Sequence, residues 1–538
     1  MRSSIARPAV NAAVPFDLDA AAAFPEWREG FSWPAPHPEV AAISMAVVER
    51  YLNLLNEIDD PFQRQVAIAA SALLIPRAQV VMEAAYLLFC ARNRPLSLAG
   101  GPEEIEALRG EKTVDQLSSR PPMFDKSLAP IRFAGLRRVK IAARWNRWRL
   151  PAAVLSPKAT ALSVSPLLVK AASIPGARVN FRHPATILRD ALDNSLPARE
   201  NEGVSSLESA LSDGLSAEPA LSTSDIGGVV CDLMRRESEI LRIVARHVAA
   251  LRNSPRVPAR VWSGSAGNYL NRLIGLEAMR RGGTAMRYSH AGLFDLQYQN
   301  PQETAAVELS ASTHLVVPSR AFAETLQGNG AIDLVAKYNR PKVIQVEGDP
   351  VIESLDDRQL RRRKRTERAP RVLYVMAMMM GFRQVPTPTA PPDIVYLDWQ
   401  LRLLDRLASA PIDLLCKPHP EGIRPGGSHP LVKHANYTDQ PFETMMDWAD
   451  IFLFDMYGST TFYIAACTDR KMVVLNLVPE PLAPSFAAIY RRRCTWIDVH
   501  YDERSLPQFN GGEVTEAVSD VGPGADPTEF RRLYGIAA

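Results

Sequence analysis

The chain has 538 residues, more than one hydrophobic core holds, because single cores stop growing near ~250 to 300 residues, so two large domains are expected. Hydrophobic residues make up 46% and charged residues 22%, which excludes a fibrous or mainly disordered chain. With 62 Lys and Arg against 59 Asp and Glu, the net charge of +3 gives no global field for nucleic acid, and any basic site has to be local.

Residues 1–38, rich in Ala and Pro, read as a loosely ordered leader. Asp17, Asp19, Glu26 and Arg28 interrupt the Ala-rich run at 20–23, so the unbroken apolar core of a secretory signal is missing. No later segment reads as the ~18 apolar residues of a membrane helix. The expected location is the cytoplasm, with peripheral contact at the inner face of a membrane left open.

From about 40 to 93 the pattern is helical, with Val47, Tyr51, Leu54 and Leu55 at spacings of three and four. These are extra N-terminal helices. Short β-prone runs follow at 96–98, 161–164, 177–181, 260–262 and 285–288, separated by helix-length segments or turns. Strands alternating with helices predict a mainly parallel sheet covered on both faces. The Ser-rich stretch 201–225 reads as a surface insertion, and the helix after it places Val230, Leu233, Ile240, Val244, Val248 and Leu251 on one face.

A second alternation begins with a strand at 342–346 and continues through strands at 372–376, 412–416, 451–454 and 472–475, with helices near 395–409, 442–448 and 459–467 between them. The expected fold is therefore α/β with two Rossmann-like domains, 39–340 and 341–480, followed by a helical tail 481–538 whose residues 528–534 cross back to the first domain.

The five cysteines lack any C-x-x-C spacing and the nine histidines lack H-E-x-x-H, so reduced thiols and no metal are expected. In open parallel sheets ligands bind beyond the carboxyl ends of the strands, which directs attention to the residues just after each one. Lys417-Pro418-His419-Pro420-Glu421 follows the strand at 412–416, where two prolines stiffen the turn and a cationic pair suits a phosphate. Asp455-Met456-Tyr457-Gly458-Ser459-Thr460-Thr461 follows the strand at 451–454, with Gly458 allowing a tight turn and the Ser459, Thr460 and Thr461 hydroxyls offering donors at a helix start. Two anion-friendly strand ends in one domain predict a phosphate or diphosphate pocket.

In the first domain, His290 and Asp295 follow the strand at 285–288, where an acceptor hydroxyl would lose its proton to a base. Glu347 and Asp349 flank Gly348 after the strand at 342–346 and are further candidates for that base. Ser263 and Ser265 stand in a small-residue turn that lacks the Lys of a P-loop, and close helix-to-sheet packing is its expected role.

The succession of Lys417-Pro418-His419-Pro420, Asp455, Gly458-Ser459-Thr460 and the strand Val473-Val474-Leu475 resembles bacterial surface-polysaccharide glycosyltransferases. It is similar to Kdo and sialic-acid transferases with an HP and a Ser/Thr motif, and to CDP-glycerol glycerophosphotransferases. The resemblance implies a GT-B fold, two Rossmann-like domains facing a cleft, and a metal-independent transferase using a CMP-linked sugar donor as co-substrate with no other cofactor. It implies that His419 contacts the donor phosphate with Lys417 in support, that Ser459 and Thr460 bind the same phosphate or the nearby nucleotide, and that His290 lies near the acceptor. The acceptor would be a glycan, a lipid-linked glycan or a protein. Two alternatives stay open: transfer of glycerol phosphate, and a binding subunit that keeps the fold without the activity.

Overall fold

The computed structural model describes residues 13–118, 157–193, 204–218, 221, 225–264, 267–289, 301–346, 348–361, 368–379, 391–419, 430–477, 482–522 and 524–535, apart from positions 25, 93, 95 and 102. Residues 13–38, expected as a leader, are built into the fold. Strand β1 (Ala13–Pro15) pairs in parallel with β2 (Ser97–Ala99), and Phe31, Trp33 and Ala35 are buried. The run at 96–98 therefore belongs to this separate ribbon and not to the main sheet.

Helix His37–Glu57 packs on Pro61–Arg92, a 32-residue helix with Pro76 in its interior. Contrary to the sequence expectation, this second helix is long and apolar enough to cross a membrane, with a mean hydropathy of 1.5 in its best window. Within the fold 67% of that window is buried, because helices Val204–Ser216, Ile226–Ser238 and Ile240–Asn253 pack around it and its neighbour. The Ser-rich stretch is thus no surface insertion. Val204, Leu207, Leu211 and Leu215 recur at helical spacing and all face the core.

The first large sheet contains β3 (Ala159–Ala161), β4 (Val179–Phe181), β5 (Arg260–Ser263), β6 (Thr284–Tyr288), β7 (His314–Val317) and β8 (Lys342–Gln345). All pairings are parallel, in the order β4-β3-β5-β6-β7-β8. Two corrections follow. Strand β7, unrecognised in the sequence, supplies Leu315, Val316 and Val317 to the core. Strand β8, expected to open the second domain, instead pairs with β7 through Leu315↔Val343 and Val316↔Ile344. A parallel strand that follows a helix adds to the existing sheet edge, so the transition between sheets falls between Gln345 and Arg371.

The second sheet contains β9 (Arg371–Val375), β10 (Asp413–Lys417), β11 (Ile451–Phe454), β12 (Lys471–Asn476) and β13 (Thr495–Asp498), again parallel, in the order β10-β9-β11-β12-β13. Strands β11 and β12 are continuous apolar runs, Ile-Phe-Leu-Phe and Met-Val-Val-Leu, because helices cover both faces of a parallel sheet. Their order reverses between β9 and β11, which makes this gap the topological switch point.

Helix Thr528–Leu533 touches elements of both sheets. Its Arg531 donates to the Cys467 carbonyl at 2.7 Å and pairs with Asp469 at 3.0 Å, Phe530 packs on Phe462 and Tyr490, and the Ser319 hydroxyl donates to the Leu533 carbonyl. Near the N-terminus, Arg28 pairs with Asp398 at 3.2 Å and the Trp33 amide donates to the Arg504 carbonyl at 2.8 Å. The first and last segments of the described chain both bind the elements around the second sheet.

Candidate functional site

The carboxyl ends of β9, β10 and β11 lie side by side by virtue of strand order and register: Val375 stands opposite both Lys417 and Phe454. The residues that follow each strand therefore converge, although the strands themselves, Arg371–Val375, Asp413–Lys417 and Ile451–Phe454, are far apart in sequence.

At the switch point Asp455 is fully buried. Its Oδ2 accepts from the Tyr374 hydroxyl and from the Tyr396 hydroxyl at 2.6 Å, and its Oδ1 accepts from the Ala377 amide at 3.2 Å. Burial raises the carboxyl pKa to about 6 against the opposing effect of these hydrogen bonds. Burial beside this carboxylate likewise pushes both phenols well above their ordinary value. Asp455 was expected to face a ligand. Its oxygens are instead taken up by the protein, and it organises the strand ends from behind.

Lys417 ends β10 and is buried, at 7% exposure. Among the described residues no carboxylate reaches ion-pair distance of its ammonium, and Glu443 and Asp439 act on it only at longer range. Burial lowers its pKa. Pro418 is buried beside it and His419 is half-buried at the rim. On its outer side β10 is flanked by residues 436–438, through Cys416 amide to Asn436 carbonyl at 2.8 Å and Thr438 amide to Cys416 carbonyl at 2.9 Å, so this strand end is held on both sides.

Ser459 caps helix Thr460–Ala466. Its Oγ accepts from the Phe462 amide at 3.2 Å and shares a hydrogen with Thr461 Oγ1 at 2.8 Å. Gly458, Ser459 and Thr461 are half-buried and Thr460 is exposed, so three hydroxyls stand at the surface of this strand end. Tyr457 anchors the turn from below, buried against Phe462, Tyr490 and Trp496.

The remaining candidates are placed differently. His290, Asp295, Glu347, Glu421 and Ser265 lie outside the described residues. Asp349 caps helix Pro350–Glu353, its Oδ1 accepting from the Val351 amide at 2.8 Å, and burial raises its pKa. Gly348 before it adopts φ +76°, a conformation that favours glycine. In the first sheet Ser263 accepts from the fully buried Arg287, whose guanidinium also donates to the Asn271 and Ala311 carbonyls at 3.1 Å each. Gly264 next to it leaves no space: a Cβ there would come within 2.8 Å of the Ser165 amide nitrogen, which is the tight helix-to-sheet approach expected of that turn.

Tyr374 and Tyr396 were not found from the sequence. Each sits in an apolar pattern that reads as core, and only an acid at a buried strand end hinted that donors had to exist for it. A cavity of about 710 Å³ lies elsewhere, bordered by Lys112, Asp115, Asp232, Arg235, Arg236 and Glu239 among the N-terminal helices. Its charges are largely spent locally, Arg235 on Asp232 at 2.6 Å and Lys112 on Glu106 at 2.6 Å. Among the described residues no group of three or more His, Cys, Asp or Glu side chains is arranged to hold a metal ion. No known protein family, curated protein or solved structure matches this chain.

Proposed function

We propose that the chain is a GT-B-type glycosyltransferase that holds the phosphate of a nucleotide-sugar donor, expected to be CMP-linked, at the carboxyl ends of β9, β10 and β11. The observation that carries this reading is Lys417: a buried cation with no ion-pair partner among the described residues, at the end of a strand beside the switch point, with His419 at its rim. An ammonium taken out of water without a counter-charge is costly, and a bound phosphate removes that cost. The hydroxyls of Ser459, Thr460 and Thr461 follow β11, on the far side of β9 from Lys417, and supply neutral donors to the same donor molecule.

In the proposed reaction the bond between the anomeric carbon and the donor phosphate oxygen breaks, and its electron pair leaves on the phosphate. The acceptor oxygen forms the new bond to that carbon and releases its proton to a base or to water. His419 and Lys417 take up the charge that develops on the leaving phosphate, and such electrostatic stabilisation is commonly the largest contribution to the rate. The acceptor, a glycan or glycoconjugate, belongs to the first sheet in this reading, where His290 and Asp295 are the candidates for the base.

The test is thermal denaturation with CMP, CDP, UDP and GDP, since a ligand that binds only the folded chain raises its melting temperature. A shift with the cytidine nucleotides that disappears in His419→Ala supports the proposal. No shift with any of the four defeats it and favours a binding subunit.

A further inference from the structure

We propose that Asp455 is a positioning residue, a buried carboxylate that ties the loop leaving β9 to the loop leaving β11 and so fixes the width of the crevice between them. The proposal rests on the nucleotide reading of that crevice.

The argument begins where the backbone ladder stops. Strands β9 and β11 are paired as far as Val375↔Phe454, and beyond this point the chain diverges at the reversal of strand order. On one side the β9 loop stays attached, because the Met376 amide donates to the Lys417 carbonyl at 3.0 Å. Its next amide, Ala377, turns to the other side and donates to Asp455 Oδ1 at 3.2 Å and to the Tyr396 hydroxyl oxygen at 2.8 Å. The Asp455 side chain thus continues a connection that the main chain no longer makes. Tyr374, from β9 itself, and Tyr396, from helix Asp393–Leu407, both donate to Oδ2, so four segments meet at one carboxylate.

Burial and charge exclude the simpler reading of Asp455 as a ligand contact. The side chain has no exposure, and an anion pointing into a phosphate site would oppose binding. A fully hydrogen-bonded carboxylate behind the site does something else: each donor is oriented by the same acceptor, so loss of the acceptor frees both loops together. The residues it holds in place, 376–379 and 456–459, are those that lead into the hydroxyl-bearing turn on one side and away from Lys417 on the other.

The test uses the full chain with CMP and CDP as probes, titrated calorimetrically, together with amide hydrogen exchange over residues 376–379 and 456–459. Asp455→Asn keeps the shape and removes the charged acceptor. We expect its dissociation constant to rise about tenfold or more, the change that follows from loss of hydrogen bonds to a charged group, with faster exchange confined to the two loops. Tyr374→Phe, which removes one donor only, shows the same two effects at smaller amplitude and serves if the Asn variant does not fold. A purely structural role predicts a lower melting temperature with an unchanged dissociation constant, and that result overturns the proposal. So does unchanged exchange in the two loops. Failure of the wild-type chain to bind any cytidine nucleotide instead defeats the nucleotide reading, and the positioning role falls with it.

Discussion

The Tyr374 hydroxyl on β9 donates to the Asp455 carboxylate at the end of β11, across a sequence separation of 81 residues. Tyr396 donates to the same oxygen from a helix packed behind the sheet. The switch point of the second sheet is therefore a hydrogen-bonded knot, and Lys417 stands one strand away with no ion-pair partner among the described residues.

Asp455 makes a distinct contribution to stability against pH. Its folded pKa of about 6 lies above the 3.8 of the unfolded chain, so between those values the folded state holds a proton that the unfolded state has released. The contribution is complete below the unfolded value and is lost as pH rises through the folded one, with a slope of at most about 1.4 kcal/mol per pH unit. Urea unfolding at pH 4.5, 5.5 and 7 checks this. The difference in stability between wild type and Asp455→Asn is expected to change steadily across the window, and a constant difference contradicts it.

Lys417→Met is expected to leave the fold intact and to raise its stability by about 1 kcal/mol, because a thioether replaces an ammonium buried without an ion-pair partner among the described residues. The same variant loses the nucleotide-dependent rise in melting temperature. Stability and binding moving in opposite directions is the mark of a site held at a cost to the fold. A destabilised variant that still binds nucleotide contradicts it.

Gly264→Ala is expected to destabilise by about 2 kcal/mol, since the new Cβ would stand 2.8 Å from the Ser165 amide nitrogen and 2.9 Å from the Val164 carbonyl carbon, and backbone does not move aside as a flexible side chain does. Chemical denaturation measures it. A change under about 0.5 kcal/mol would show that the ends of β3 and β5 yield to a methyl group.

Asp349→Asn separates capping from catalysis. Asn serves as an N-cap about as well as Asp, so stability is expected to stay within about 0.5 kcal/mol. Its carboxylate is committed to the Val351 amide, and turnover, once a donor and acceptor are found, is expected to fall less than tenfold, well short of the roughly 10² to 10⁴ that loss of a general base costs. A loss of a hundredfold or more with the fold unchanged would return Asp349 to the catalytic machinery.

Much of the second sheet was legible because its strands are short, unbroken apolar runs between turn residues. The runs of β11 and β12 read correctly to within a residue or two. Strand β7 was missed because His314 and its neighbours resemble the end of a helix, and Val204–Ser216 was missed because serines on its outer face hide an apolar stripe spaced by three and four. Among the candidate site residues, Lys417, His419 and Ser459 stood out in the sequence by what precedes them, an apolar strand pattern. Tyr374 and Tyr396 were not, since a phenol inside an apolar segment looks like packing until its partner is known.

The amino-acid sequence by itself determined the alternation of strands and helices, the two α/β units and the polar turns after the strands, since these follow from local periodicity and from the backbone preferences of Pro, Gly, Ser and Thr. Only the tertiary structure decided that β8 completes the first sheet, that the second reverses its order between β9 and β11, and that Asp455 faces inward while Lys417 stays without an ion-pair partner among the described residues. Strand neighbours and buried hydrogen bonds join residues tens of positions apart. No window along the chain contains both partners, so the pairing is settled by packing and not by local pattern.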